Sequence, residues 1–503
     1  MHCDLKNGYN DLIDSIVKNL VDVSDRTTYD TTLCKPDYTS CLFEIQQLVY
    51  SYVAKSNIRI MRETLYFFTG KIYEPISRDV FNRSIELYLV SMHVQNKYMC
   101  YALGKLQKKA EESVRLNNIL SPSFHIMAFM NGVVDMETGI LSPFSSDFHV
   151  VYMHEYSYDP KAKCPMWTSF LKTVLPEKES RHILQMYLGL GLYNRGYMTD
   201  KVENCLVLYG NGSNGKSVIN ETMCGIFGRC NISNKDLPGL IRGDDEGMRN
   251  MAMVDGKFFN WCGETPSKAI LGKEDRFKSL CSGERQYGRT LGRNIYLITN
   301  VPWLIFNMNN LPRSSDSSYG YFRRFLYIVF DHIIPESMQN KHLTEDLKIE
   351  YPGILNWIIR GKKYIKQRKF VFPKSENAEK QKLLVMGEDN ITFSWAFARG
   401  IRPSADAKGE LFNWIKVSDL YKDMVSYSEA NGFSPVDDKS FGHQMKKLGF
   451  GGLNKKRTSC GNLYKVYGFS NEDLKTKVPI VTDMDLKKED EYDHSVEYEG
   501  EDL

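Results

Sequence analysis

Gly210-Asn211-Gly212-Ser213-Asn214-Gly215-Lys216-Ser217 has the spacing G-x-x-x-x-G-K-S, a pattern suited to holding a nucleoside triphosphate. Glycines let a turn close without Cβ atoms, so successive backbone N–H groups can converge on phosphate oxygens. The Lys216 ammonium can reach the β- and γ-phosphates, and the Ser217 hydroxyl can complete a Mg²⁺ shell. Gly210, Asn211, Gly212, Ser213, Asn214, Gly215, Lys216 and Ser217 are therefore the expected nucleotide ligands.

Three later positions carry groups that could finish such a site. The apolar run from Lys257 to Gly263 is followed by Glu264, a carboxylate suited to hold the metal or polarise water. The run Ile295 to Thr299 ends at Asn300, whose amide could hold the attacking water. Arg323 and Arg324 precede the run Phe325 to Phe330, and a guanidinium there could stabilise transition-state charge in a neighbouring copy.

These groups need a scaffold, and the pattern around them supplies one. Cys205 to Tyr209 is an apolar run directly before the glycine loop, and a helix-compatible stretch starts at Val218. Between 205 and 335, strand-like and helical stretches alternate, which predicts an α/β fold with a mostly parallel sheet. Residues 1–120 are expected to be mostly helical, with a strand-like interruption from Glu63 to Phe68. Short strands are expected over 129–141, with Asn131-Gly132 and Thr138-Gly139 at their corners. Met166 to Tyr193 has helical spacing.

The expected domains are a helical region or collar over 1–120, a small domain over 121–200 and the nucleotide-binding core over 201–375. A linker over 376–409, a compact unit over 410–470 and an acidic tail over 471–503 follow. In the compact unit Ser418 reads as the N-cap of a helix that stops at Asn431-Gly432, and a second helix follows over about 438–448. A basic turn with Lys455, Lys456 and Arg457 leads to a strand over 463–469. Helix, helix and basic hairpin is the layout of a winged helix, with Lys446, Lys447, Lys455, Lys456 and Arg457 as candidate DNA contacts.

Composition narrows the class. Of 503 residues, 42% are hydrophobic and 25% charged, as in a soluble globular chain, and no apolar run reaches spanning length. Eleven cysteines occur without a C-x-x-C pair, which suits a reducing compartment and argues against zinc. The net charge of +3 hides an asymmetry: residues 483–503 carry ten acids against Lys487 and Lys488, a net of −8, which leaves +11 elsewhere. A basic body suits a polyanionic partner.

The order of the motifs resembles the superfamily 3 helicases, most closely the poxvirus-type primase–helicase NTPases of large DNA viruses and phages. The likeness covers roughly residues 125–470, helicase part only. It rests on Asn131 to Asp135 with Thr138-Gly139, Gly210 to Ser217, Asp255 to Glu264, Phe277 to Glu284, Thr299-Asn300 with Pro302, and Gly320 to Arg324. The resemblance implies an AAA+ type core, a homohexameric ring, and ATP with Mg²⁺ driving movement along single-stranded or forked DNA. Lys216 and Ser217 would bind phosphate and metal, Glu264 would be the Walker B acid, Asn300 the sensor, and Arg323 or Arg324 the arginine finger. Lys278, Arg285 and Arg289, with Tyr287 among them, would lie on the part that feeds the pore, where cations meet phosphates and rings meet bases. Many members have two adjacent acids where this chain has Glu264 alone. No nucleotidyl-transfer motif stands in residues 1–120, so a separate primase or polymerase is the expected partner. The expected location is the host cytoplasm or the site of viral DNA replication, away from membranes. The main alternative is an ATP-gated replication initiator or DNA-binding regulator that does not unwind, and a small-substrate P-loop kinase stands further off.

Overall fold

The computed structural model describes residues 46–481, apart from 48, 51, 55, 92–95, 121, 124, 211–213, 264–272, 293, 299, 309–318, 333, 336–338, 405–408 and 460. Asn211, Gly212, Ser213, Glu264 and the acidic residues 483–503 thus lie outside the described residues, as does most of the collar expected before Ile58. The chain divides after Tyr158 into two units. That boundary falls inside the segment 121–200 expected as one domain.

In the first unit, β1 (Ile58–Met61), β2 (Thr64–Phe68) and β3 (Tyr73–Ile76) form an antiparallel sheet in that order. Its apolar face shares a core with α1 (Arg78–Ser91) and α2 (Asn96–Asn117), where Ile58, Phe81, Ile85, Leu89 and Val114 are fully buried. A second sheet follows from β4 (Ile126–Phe129), β5 (Gly132–Asp135), β6 (Leu141–Ser142) and β7 (Met153–His154), in the order β6-β5-β4-β7. Asn131 at the β4–β5 corner pins the chain after β7. Its Nδ2 donates to the Tyr158 carbonyl and its Oδ1 accepts the Tyr158 N–H, both at 2.9 Å.

The second unit begins with α3 (Pro165–Val174) and α4 (Lys178–Leu190), then β8 (Cys205–Tyr209) and α5 (Lys216–Phe227). It continues through β9 (Ile232–Ser233), α6 (Asp245–Val254), β10 (Phe259–Cys262), α7 (Glu274–Cys281), β11 (Gln286–Gly288) and β12 (Tyr296–Ile298). β13 (Trp303–Met308), β14 (Phe325–Val329) and α8 (Tyr351–Gln367) complete the central part. Five of these strands make one sheet, ordered β14-β8-β13-β10-β9, with every neighbouring pair parallel. Four residues of β8, Cys205 to Leu208, are 0% exposed, as expected for a central strand covered on both faces. The fold is mixed α/β around a parallel sheet.

The run 295–299, expected as a strand ending at Asn300, lies outside this parallel sheet. β12 pairs antiparallel with β11 in a separate hairpin, and Leu297 is 43% exposed. The place between β8 and β10 is taken by β13, whose Trp303, Leu304, Ile305 and Phe306 are buried. Both segments are apolar; continuous burial on two faces selects the second for the sheet centre.

Residues 376–409, expected as a linker, hold two helices, α9 (Glu376–Asp389) and α10 (Ile391–Ala398). Trp395 of α10 enters one core with Ile415, Leu420, Met424, Phe441, Met445, Tyr464 and Val466. Those residues come from β15 (Phe412–Lys416), α11 (Val417–Ala430), α12 (Asp438–Lys447) and β17 (Gly461–Tyr467). With β16 (Lys455–Thr458) the strands form an antiparallel sheet ordered β15-β17-β16. Beneath it, Asp423 accepts from Trp395 Nε1 at 2.7 Å and from Arg399 Nη2 at 2.5 Å, an ion pair with both side chains 5% exposed. The first helix is capped at Lys416, one residue before Val417, so Ser418 lies inside it rather than at the cap. Asn431 does end it. Its side chain donates to the Pro479 carbonyl and accepts the Val481 N–H, so residues up to 481 belong to this core rather than to the tail. Among the described residues no helix is long and apolar enough to cross a membrane.

Candidate nucleotide site and nucleic-acid surfaces

β8 delivers the glycine loop at its C-terminal end, and α5 starts at Lys216. Gly215 caps that helix at φ 88°, and Gly210 takes φ 144°. A Cβ on Gly210 would stand 2.3 Å from the Phe330 carbonyl oxygen, and one on Gly215 would stand 2.9 Å from Phe170 and Val174. Both positions therefore need glycine for space as well as for backbone angle. The first turn of a helix leaves N–H groups without intrahelical partners, which favours an anion at this end of α5.

Lys216 is the cation of this cradle and is only 9% exposed. Its ammonium donates to the Gly210 carbonyl at 2.5 Å and to Asn214 Oδ1 at 3.0 Å. Burial lowers its pKa from the ordinary 10.5 to about 8, and an anionic phosphate beside it would raise it again. Asn214, also buried, donates from Nδ2 to the Phe330 carbonyl at 3.2 Å, which ties the loop to the residue after β14. Phe330 in turn donates its N–H to the Tyr209 carbonyl at 2.7 Å. Ser217 is exposed at the start of α5, where a hydroxyl could join a metal shell. The chemistry of this donor set fits a Mg²⁺-bound triphosphate: carbonyl and amide oxygens hold the ammonium where phosphate oxygens would replace them.

The other expected residues divide. Asn300 is not at the glycine-loop end of the parallel sheet. It follows the β11–β12 hairpin, and its Oδ1 accepts the Arg195 backbone N–H at 3.1 Å. The amide that does stand beside β8 is Asn307 of β13, in register with Leu208 and accepting from Trp261 Nε1 of β10 at 3.2 Å. The signal for it was present in Trp303-Leu304-Ile305-Phe306-Asn307, an apolar run ending in a polar group.

Arg323 and Arg324 sit at the opposite end of β8. The Arg324 carbonyl accepts the Cys205 N–H at 2.8 Å, and the Arg323 carbonyl accepts from Asn204 Nδ2 at 2.9 Å. Five strand residues separate that edge from the glycine loop, a climb of about 16 Å, beyond the reach of an arginine side chain. Glu203 holds both guanidinia: Arg323 Nη2 at 2.5 Å, and the buried Arg324 Nη2 at 3.9 Å.

Lys278 lies on α7, 3.8 Å from Asp275. Arg289 pairs with Asp245 at 3.1 Å, whereas Arg285 is exposed and has no ion-pair partner among the described residues. Tyr287 is 62% exposed on β11, and Leu291, Ile295 and Leu297 continue an exposed apolar surface along the hairpin. Those three were missed because a hairpin with apolar groups outside looks, by composition, like a buried strand.

In the C-terminal unit, Lys446 and Lys447 project from the end of α12 while Phe441 and Met445 bury its other face. Lys455, Lys456 and Arg457 are all exposed, but they do not form one patch. Alternation along β16 sets Lys455 and Arg457 on the helix side of the sheet and Lys456 on the reverse. The register agrees: Lys455 is opposite the buried Tyr464 and Lys456 opposite Leu463.

Residues 106–176 match the family model described as "D5 N terminal like", and residues 208–324 match a family of unknown function. The second match runs from the end of β8 to Arg324. Among solved structures, an A-form apo structure of the NrS-1 C-terminal region aligns at 13% identity with TM-score 0.41, covering 83% of this chain and 98% of that one. A second apo structure of that region gives 13% identity and TM-score 0.39, covering 85% of this chain and 100% of that one. The D5-type match, upstream of the glycine loop, fits the primase–helicase resemblance carried by the motifs.

Proposed function

We propose that this chain is an ATP-dependent DNA helicase of the superfamily 3 kind, acting as a hexameric ring on single-stranded DNA during replication of a viral or phage genome. Its nucleotide core would be of AAA+ type and its C-terminal unit a winged helix. One observation carries the proposal. Lys216 lies buried in a glycine cradle at one end of β8, while Arg323 and Arg324 of the same chain lie at the other end. Neither of these two guanidinia can then reach a γ-phosphate held in its own chain's cradle, whereas either could do so in a neighbouring copy, which favours a ring over a self-sufficient kinase.

In this scheme Lys216 and the loop N–H groups grip the phosphates, and Asn307 takes the water-positioning role first expected of Asn300. Arg323 leaves Glu203 to meet the nucleotide of the next subunit. Ser217 and Glu264 would hold Mg²⁺, which would supply positive charge against the phosphates. The β11–β12 hairpin, with Tyr287 and Arg285 exposed, suits the pore; Lys278 and Arg289 already have carboxylate partners in the chain.

Steady-state ATP hydrolysis with and without single-stranded DNA tests the scheme, together with mass measurement in the presence of an ATP analogue and forked DNA. Stimulation by the strand and a sixfold assembly are expected. A monomer that hydrolyses ATP at a rate indifferent to DNA would overturn it. Strand displacement on forked DNA separates the helicase from an initiator that binds without unwinding.

A further inference from the structure

The C-terminal sheet has two faces, and the helices cover only one. Ile415, Tyr464 and Val466 point into the core beneath α11 and α12 and are 0–2% exposed. Alternation puts Phe412, Trp414 and Lys416 of β15 on the reverse face, with Leu463, Lys465 and Tyr467 of β17 beside them. The register sets Phe412 opposite Tyr467, Trp414 opposite Lys465 and Lys416 opposite Leu463, which in turn faces Lys456 of β16.

This face is aromatic and cationic together. The Phe412 ring stands 5.7 Å from Tyr467 and 6.2 Å from Trp414, and Phe412 is 43% exposed. The Lys465 ammonium lies 4.1 Å from the Phe412 ring centre and 5.2 Å from that of Tyr467. Among the described residues, Lys416, Lys456 and Lys465 have no ion-pair partner. Leu411, 88% exposed, extends the apolar rim.

We infer that the reverse face of this sheet is a binding platform for single-stranded nucleic acid, with bases stacking on Phe412, Trp414 and Tyr467. Lys416, Lys456 and Lys465 meet the phosphates of the same strand. Rings at strand spacing offer flat surfaces that unpaired bases can use and that a duplex, with its bases already stacked, cannot. The cations favour a polyanion over a neutral or basic partner, and the rings favour one that carries unpaired bases over an acidic protein. The platform is separate from Lys446 and Lys447, which lie on the helix side of the same sheet. One small unit thus presents a duplex-type surface and a single-strand surface back to back. The inference takes its polyanion from the DNA part of the proposed function, but it requires no nucleotide chemistry.

The test uses the full chain without nucleotide, and two labelled probes: an oligo-dT strand and a hairpin duplex, read by anisotropy. Phe412→Ala combined with Trp414→Ala is expected to weaken oligo-dT binding by about tenfold or more, on the usual strength of base stacking, and to leave the duplex within about twofold. Trp414→Phe should restore most of the loss, because a ring is what the base requires. Lys465→Glu, which leaves the rings in place, keeps the test open if the double variant does not fold; it should also weaken oligo-dT selectively. Equal losses on both probes, or none with oligo-dT, would overturn the inference. So would unchanged strand binding with a lowered assembly mass, which would make the face a contact between copies. So would strand binding that tightens on removal of residues 483–503 and then ignores Trp414, which would make the acidic tail its occupant. Repeating the titration in Lys216→Ala keeps this outcome apart from any failure of the ATPase proposal.

Discussion

The molecule handles positive charge in two opposite ways. At the end of β8 a single ammonium, Lys216, is buried among backbone groups and its pKa is lowered to about 8. In the C-terminal unit Lys446, Lys447, Lys455, Lys456 and Arg457 are all exposed and spread over two faces. A buried cation in a cradle fitted by glycines favours one small anion, because a negative charge inside the cradle restores what burial removed. Exposed cations on rigid elements suit a polymer, whose binding is driven by release of counterions and is insensitive to any single contact. On the proposed function, the first arrangement serves chemistry at one point and the second grip along a line.

Substitution at the buried cation has the largest expected effect. Lys216→Ala should lower ATP turnover by about a thousandfold in steady-state assays while leaving the melting transition and oligo-dT affinity near the parental values. An equal loss of DNA binding would break the contrast, since the two regions would then be one site. Next comes the support beneath the exposed cations. Asp423→Ala leaves Arg399 buried without its countercharge and should cost about 3–5 kcal/mol of local stability, seen as an earlier denaturant transition with loss of DNA binding. Binding of an ATP analogue should survive that variant.

The pH response separates the regions further. The Lys216 proton is held below its ordinary affinity in the folded chain, so it leaves as pH rises through about 8. Analogue binding should therefore be flat at lower pH and weaken by up to roughly tenfold per unit above that point, with a proton taken up on binding. Isothermal titration in two buffers of different ionisation enthalpy measures that proton directly. The smallest effect belongs to the exposed set. Lys446→Ala with Lys447→Ala should reduce the log–log salt slope of duplex binding by roughly 2, with a modest change in affinity at low salt.

How much of this was legible in the sequence depended on how local the cause was. Cys205 to Ser217 could be read directly, because one buried strand and a glycine loop declare themselves within thirteen residues. The parallel sheet followed from the alternation of strands and helices. Which of two apolar runs joined it did not: 295–299 and 303–308 have similar composition, and only partners distant in sequence decide. Asn300 was consequently chosen where Asn307 stands beside β8. Helix α10, Ile391 to Ala398, is apolar on all sides and carries no stripe, so nothing in its period distinguished it from a loop between domains. The basic residues of β16 were visible as a cluster, yet their division between two faces depends on which position pairs with Tyr464, and that is a property of the register.

β14 leads from Arg323 and Arg324 at one end to Phe330 at the other, and Phe330 is where Asn214 of the glycine loop is tied. A strand hydrogen-bonded to its neighbour along its length is stiff enough to serve as a push-rod. If the chain binds a nucleotide as proposed, a displacement of Asn214 would be passed along this strand to the arginines about a strand's length away. In a ring those arginines belong to the next subunit's site. One rod per subunit would then set the firing order around the ring, with no separate timing element needed.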